Sequence, residues 1–313
     1  MRAQRMTVRP ARGVLLLLAA TIAGCATQSP ASIPRSDGFG VLVMAHGGSS
    51  QWNDSVLAAA APLRNRYKIE VAFGMADPRS LQTAVSKLEA QGVRRIAVVR
   101  LFISGESWYE RTRQILGLAP GAGPRNHATG HAGGGEEHST HSMELWRIDA
   151  RSTFVLSREG LADAAEANAI ITERARQLSR DPKSEDVLIL AHGPGDDAEN
   201  ERWLAKISAR AMGVGATLPF RRVEVRTLRE DWPEKRRAAE QRVRDFVLRA
   251  STERGRAIVI PFRVQGFGPY AEVLKDLDYV ADGAGLLPHP HVTKWIERQI
   301  VELRYTSDPE EMT

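Results

Sequence analysis

Along the 313 residues, the apolar run Val41-Leu42-Val43-Met44-Ala45 ends in His46-Gly47, and the run Val187-Leu188-Ile189-Leu190-Ala191 ends in His192-Gly193. A continuous apolar run of strand length bounded by glycine marks a strand buried on both faces, as in a parallel sheet. Each run is followed by polar residues and a helical pattern starting near Asn53 and near Asn200. A histidine at the carboxyl end of such a strand borders the crevice where open α/β sheets bind ligands. Two equivalent strands, with His192 standing 146 residues after His46, predict two similar halves facing a common cleft.

The rest of the pattern alternates in the same way. In the first half the strand at 39–45 leads to a helix over 52–67, a strand over 68–73 and a helix that starts at Asp77-Pro78. There Asp77 serves as N-cap and Pro78 stands in the first turn. That helix ends at Gly92, a glycine C-cap, and a strand over 95–102, a helix over 106–116, a fourth strand over 144–148 and a long helix over 162–178 follow. The second half repeats the order: strand 186–191, helix 197–212, strand 222–227, helix 233–252, strand 257–262, helix 270–277, a fourth strand within 279–287 and a last helix over 292–303. The fold class expected is α/β, each half a parallel four-stranded sheet flanked by helices. The domain bounds follow as 38–180 and 181–313, with an insertion at 117–142.

The first residues change the meaning of the composition. Arg2, Arg5, Arg9 and Arg12 precede the apolar stretch 14–20, which is too short to span a bilayer, so residues 1–24 read as a secretion signal. The formal net charge of +5, less those four arginines, is +1 for the remainder. This removes the lasting basic field that a nucleic-acid partner needs. The signal ends in Ile22-Ala23-Gly24-Cys25, which resembles the lipobox of bacterial lipoproteins. That resemblance implies lipidation of Cys25 and a protein held on the cell envelope by its lipid, facing the periplasm. Ala26 stands where an aspartate would imply retention in the inner membrane, which favours the outer membrane. Residues 25–37, rich in Ser and Pro, read as a flexible tether. Cys25 is the only cysteine, so no internal disulfide is expected.

The ordered motifs resemble one family. His46 is followed by Asn53, and Phe73-Gly74-Met75-Ala76-Asp77-Pro78-Arg79-Ser80-Leu81 stands after the second strand. Gln91 to Val99 then runs into Leu101-Phe102-Ile103-Ser104-Gly105, Glu173-Arg174-Ala175 precedes the second His-Gly, and Gly285-Leu286-Leu287-Pro288-His289-Pro290 lies near the end. Together these resemble the class II tetrapyrrole chelatases, in particular the duplicated sirohydrochlorin cobaltochelatases and ferrochelatases. The resemblance implies a chelatase-like fold and a lyase-type insertion of a divalent metal into a sirohydrochlorin-like tetrapyrrole, as in cobalamin biosynthesis. Metal ion and tetrapyrrole would be the partners, and no organic cofactor is expected.

Metal insertion needs a ligand for the ion, a base for two pyrrole protons and a cleft for the macrocycle. Imidazole with carboxylate suits Co, Ni, Fe or Zn. His46 is the expected metal ligand or base, with His192 as its counterpart; either could instead merely cap the helix that follows. The family resemblance implies a second histidine after the third strand, near Glu106 or Ser107, but none is present. Glu106, Glu110 or Glu272 could replace it as ligand or proton acceptor, or could simply favour a helix start. The glycine-rich insertion holds four of the eight histidines, His127, His131, His138 and His141, and such a tract is a candidate metal binder or a surface insertion with no role. A second function class stays open: an envelope lipoprotein that holds metal or a metallated tetrapyrrole without turnover. A serine hydrolase is disfavoured, because no Gly-x-Ser-x-Gly elbow stands at either strand–turn–helix junction.

Overall fold

The computed structural model describes residues 38–125 and 144–306. The first half contains β1 (Phe39–Ala45), α1 (Ser50–Ala60, continued by a 3-10 turn over Ala61–Asn65), β2 (Ile69–Phe73), α2 (Pro78–Ala90), β3 (Arg95–Leu101), α3 (Tyr109–Ile115), the short pair β4 (Gly123–Pro124) and β5 (Trp146–Arg147), β6 (Thr153–Leu156) and α4 (Ala165–Leu178). The second contains β7 (Glu185–Ala191), α5 (Asp197–Thr217), β8 (Arg222–Thr227), α6 (Pro233–Thr252), β9 (Arg256–Phe262), α7 (Tyr270–Val273), β10 (Tyr279–Val280) and α8 (Pro290–Tyr305). One parallel sheet has the order β2-β1-β3-β6 and the other the matching order β8-β7-β9-β10. Every residue of β1 and of β7 is buried, as central strands require. The α/β reading and the four-strand parallel sheets are thus borne out.

Local signals explain the element starts. The Asp77 carboxylate accepts from the Ser80 amide at 2.9 Å and Pro78 opens α2, while Asp196 accepts from the Glu199 amide at 2.7 Å to start α5. Three expectations need correction. The fourth strand of the first sheet is 153–156, not 144–148. Trp146 and Ile148 are buried in the apolar cluster on that side, and the Ile148 amide bonds Ile115 at the end of α3. The helix expected from Glu106 begins at Tyr109, because Trp108 adopts a left-handed φ of 58° and residues 102–108 turn beforehand. Helix α5 continues past Met212 to Thr217. Gly213 within it is no terminator: a Cβ there would lie 2.2 Å from the Asn168 side chain on α4, so the glycine permits close helix packing.

The halves interlock by exchanging their last helices. Helix α4 leaves the first sheet and packs on α5 and β9, where buried Arg174 pairs with Asp282 at 3.1 Å. Helix α8 returns to pack on β3 and α1. Trp295 is fully buried and donates to Glu159 at 2.8 Å, and Thr293 donates to the Ala59 carbonyl at 2.9 Å. The described residues accordingly form one compact unit. Among them no helix is long and apolar enough to cross a membrane.

Candidate functional site

Both His-Gly pairs serve the same local geometry. Gly47 and Gly193 have φ values of +79° and +80°, a left-handed turn that lets the chain leave the strand end. A Cβ on Gly193 would come within 2.6 Å of Thr227, and one on Gly47 within 3.1 Å of Phe73. The turn folds each histidine back on its own backbone: His46 Nδ1–H donates to the Gly47 carbonyl at 2.8 Å, and His192 Nδ1–H to the Gly193 carbonyl at 2.7 Å. That bond puts the His46 proton on Nδ1 and the lone pair on Nε2, the form suited to ligation. His46 is exposed at the end of β1, its ring centroid 6.3 Å from that of Trp52. Asn53 braces the turn by accepting from the Gly48 amide at 3.1 Å.

His192 is differently placed. Its Nε2 lies 2.9 Å from an Asp231 carboxylate oxygen and its ring meets Trp232 edge-on at 5.9 Å. Both ring nitrogens lie within hydrogen-bond distance of an oxygen, so a ligand to this ring must displace a contact. Arg229 and Lys235 close the same edge, both bonding Asp197 at 2.8 Å. Together they hold the Asp197 carboxyl below the usual carboxylate range, the Lys235 hydrogen bond contributing most.

Glu106 stands in the turn after β3, in reach of the other half. Arg202, on the second turn of the helix that follows His192, grips it in a bidentate pair with contacts of 3.0 and 2.6 Å. That hydrogen-bonded pair holds the Glu106 carboxyl below its ordinary range, which makes it a weak proton acceptor. The bridge also draws the carboxyl ends of the two sheets together. Asp163, beyond β6, adds Lys206 at 3.2 Å. Charge pairs thus link the strand-end turns of the two halves on one flank.

Sequence reasoning passed over three groups at this edge. Arg100, inside β3, is 1% exposed and has no carboxylate partner among the described residues. Its guanidinium donates to the carbonyls of Gly105 (2.9 Å), Ser157 (3.1 Å) and Ser107, and sits 4.9 Å from the Tyr109 ring centroid. Burial pulls its pKa down to about 10. It shapes the turn that carries Glu106, and a charged residue after the apolar run 96–99 was the signal available. The other two are Asp77, read in the sequence only as the N-cap of α2, whose Oδ1 is buried without a partner among the described residues at the edge that carries His46, and Arg202. Among the described residues no group of three or more His, Cys, Asp or Glu is arranged to hold a metal ion. Cys25, His127, His131, His138 and His141 lie outside the described residues.

Comparison with known proteins bears on this geometry. Residues 40–116, which contain His46 and Glu106, match the CbiX family. No curated protein matches in sequence. Among solved structures, SirB from Bacillus subtilis with Fe3+ superposes with a TM-score of 0.57 at 12% identity, covering 88% of this chain and 98% of that one. The sirohydrochlorin chelatase SirB from Bacillus subtilis subspecies spizizenii, in complex with cobalt, gives 0.57 at 11% identity over 88% and 97%. The resemblance to class II chelatases is thereby borne out: the first half carries the CbiX match, and the described chain has the two-sheet fold of a sirohydrochlorin chelatase.

Proposed function

We propose that this protein is a sirohydrochlorin-chelatase-like protein in which His46 Nε2 holds a divalent metal, Co, Ni or Fe, against a tetrapyrrole seated at the carboxyl ends of the strands. Insertion replaces the two pyrrole N–H protons by the metal, and two protons leave to solvent. The observation that carries this reading is the His46 turn within the CbiX match, which fixes the tautomer with Nε2 as donor atom. Glu106, ionised and paired to Arg202, acts as an electrostatic neighbour of the incoming cation rather than as the base. The leader and Cys25 support an envelope lipoprotein facing the periplasm, where the loop histidines His127, His131, His138 and His141 would collect metal for the cleft.

A second reading, metal or tetrapyrrole binding without turnover, is supported by the missing histidine near Glu106 and Ser107 and by the leader that precedes Cys25. One experiment separates the two. Purified protein is titrated with Co2+, Ni2+, Zn2+ and Fe2+ by calorimetry, then given sirohydrochlorin under reducing conditions while its absorption is followed. Turnover that His46→Ala abolishes and deletion of 120–142 spares supports the chelatase. Binding lost on deleting the loop but kept in His46→Ala would make the insertion the metal store and refute a cleft site.

A further inference from the structure

A cavity of about 990 Å³ lies away from the strand-end histidines, along the outer edge of β6. Among the described residues its wall includes neither His46, Glu106 nor His192. Its apolar part comes from Leu116, Leu118, Ile148 and Leu303, and four arginines line it: Arg113, Arg147, Arg151 and Arg158. Arg113 is paired with Glu110 at 2.8 Å. Arg151 is only loosely held, 86% exposed and 3.6 Å from Glu89, whose Oε1 already accepts from the Arg151 and Ser152 amides. Arg147 and Arg158 have no carboxylate partner among the described residues. Against the four guanidinium groups stand two lining carboxylates, Glu89 and Asp149.

The sheet edge adds donors of the same sign. The amides of Thr153 and Ser157 bond the carbonyls of Arg94, just before β3, and Val98 on β3. In a parallel ladder the alternate residues then turn their N–H groups the other way, so Phe154 and Leu156 aim theirs into the cavity. Spare guanidinium groups, outward amides and an apolar wall call for an anion with an apolar body, and the volume is at the upper end for small-molecule sites. We propose that this cavity binds an amphipathic polycarboxylate of macrocycle size, at a site separate from the strand-end crevice. The anionic character rests on the cavity alone; the macrocycle size rests on the chelatase reading.

The test uses uroporphyrin, a fluorescent porphyrin with eight carboxylates, titrated into the purified protein. Arg147→Glu/Arg158→Glu is expected to weaken binding at least roughly tenfold, since each charged hydrogen bond removed is worth about that factor. Arg147→Lys/Arg158→Lys should retain most of the affinity, Arg237→Glu/Arg242→Glu, exposed on α6 and outside the cavity wall, should bind as the parent does, and the octamethyl ester should not bind. Unchanged thermal melting of the charge-reversed protein shows that its fold is intact. Affinity that survives charge reversal but falls in His46→Ala would place the porphyrin in the crevice, overturning this proposal and sparing the chelatase. No uroporphyrin binding to the parent would overturn it as well. Binding that follows the arginines, with no metal insertion in the presence of sirohydrochlorin, would keep the cavity and discard the turnover.

Discussion

The two sheet edges start from one plan and end in different chemistry. Each has a fully buried central strand, a left-handed glycine and an imidazole pinned through Nδ1 to the next carbonyl. The divergence lies in the loop after the second strand. In the second half it carries Arg229, Asp231 and Trp232, which engage Asp197 and both the edge and the outer nitrogen of His192. In the first half it reads Gly74-Met75-Ala76-Asp77, and one oxygen of Asp77 caps α2 while the other is buried without a partner. A duplicated scaffold has thus kept its strand-end turn in both copies while one copy has closed its site with salt bridges. Metal chemistry is expected on the first edge, and structural service on the second.

The sharpest way to break this comparison is to exchange the roles of the two imidazoles. His46→Ala should lower metal insertion about 100-fold or more, the range for removing a ligand or base at a reacting centre. His192→Ala should change it less than about threefold. Absorption assays of sirohydrochlorin metallation on both variants decide it, and equal losses would mean that both edges work together.

A second difference lies at one register position. β3 places buried Arg100 opposite Met44, and β9 places Pro261 opposite Leu190. Arg100→Met would leave the carbonyls of Gly105, Ser107 and Ser157 without their donor, at a cost of about 2 kcal/mol. The loss is moderated because the guanidinium itself is buried without a counter-charge. Pro261→Ala should cost less than half of that. Urea denaturation midpoints provide the check, and an Arg100→Met protein as stable as the parent would show that the turn does not need its donor.

What the chain displays in sequence follows from range. The strand-His-Gly repeats are legible because burial on both faces writes an unbroken apolar run, and the cap at Asp77 acts within three residues. The fourth strand was misplaced because Trp146 and Ile148 present an apolar pattern as good as that of 153–156, and only pairing with Arg95 to Val98 selects the latter. The partners that decide the chemistry stand far away in the chain. Glu106 meets Arg202 from 96 residues off, and His192 meets Asp231 from 39. No periodicity encodes such a meeting, so Glu106 looks equally like a ligand, a base or a helix-start charge until the second half is folded against it.

The flank bridge can be loosened next. Arg202→Met removes the guanidinium that holds Glu106 below its ordinary range, so its titration should move up toward 4.5. With Arg202 in place, the pair's contribution to stability is present above that ordinary value and is lost as pH falls through the lower folded one; in Arg202→Met that window closes. Carboxyl NMR titration of both proteins would show it, and an unmoved Glu106 would mean that other groups set its acidity. If freed Glu106 then serves as a base, insertion in Arg202→Met should rise slightly at pH 6 rather than fall.

The smallest effect concerns how the halves are fastened. Helix α4 enters the second half through buried Arg174, a permanent charge, whereas α8 enters the first through a start capped by an imidazole. His289 Nδ1 accepts from the His291 amide at 3.2 Å, Nε2 lies 3.3 Å from Glu173, and the His291 ring stacks on it at 5.3 Å. Burial holds the His289 pKa below its ordinary 6.5, with His291 and Arg174 acting in the same direction and Glu173 opposing. The unfolded chain therefore takes up a proton that the folded one resists, so stability present above pH 6.5 is lost as pH falls toward the lower folded value. Protonation also turns the capping acceptor into a donor. His289→Asn keeps a side-chain cap but cannot titrate, so between pH 7.5 and 5 the parent should lose up to about 1 kcal/mol more than the variant. Melting curves of the pair cancel the acid sensitivity common to both proteins, and parallel losses would mean that the imidazole cap does not set the acid response of α8.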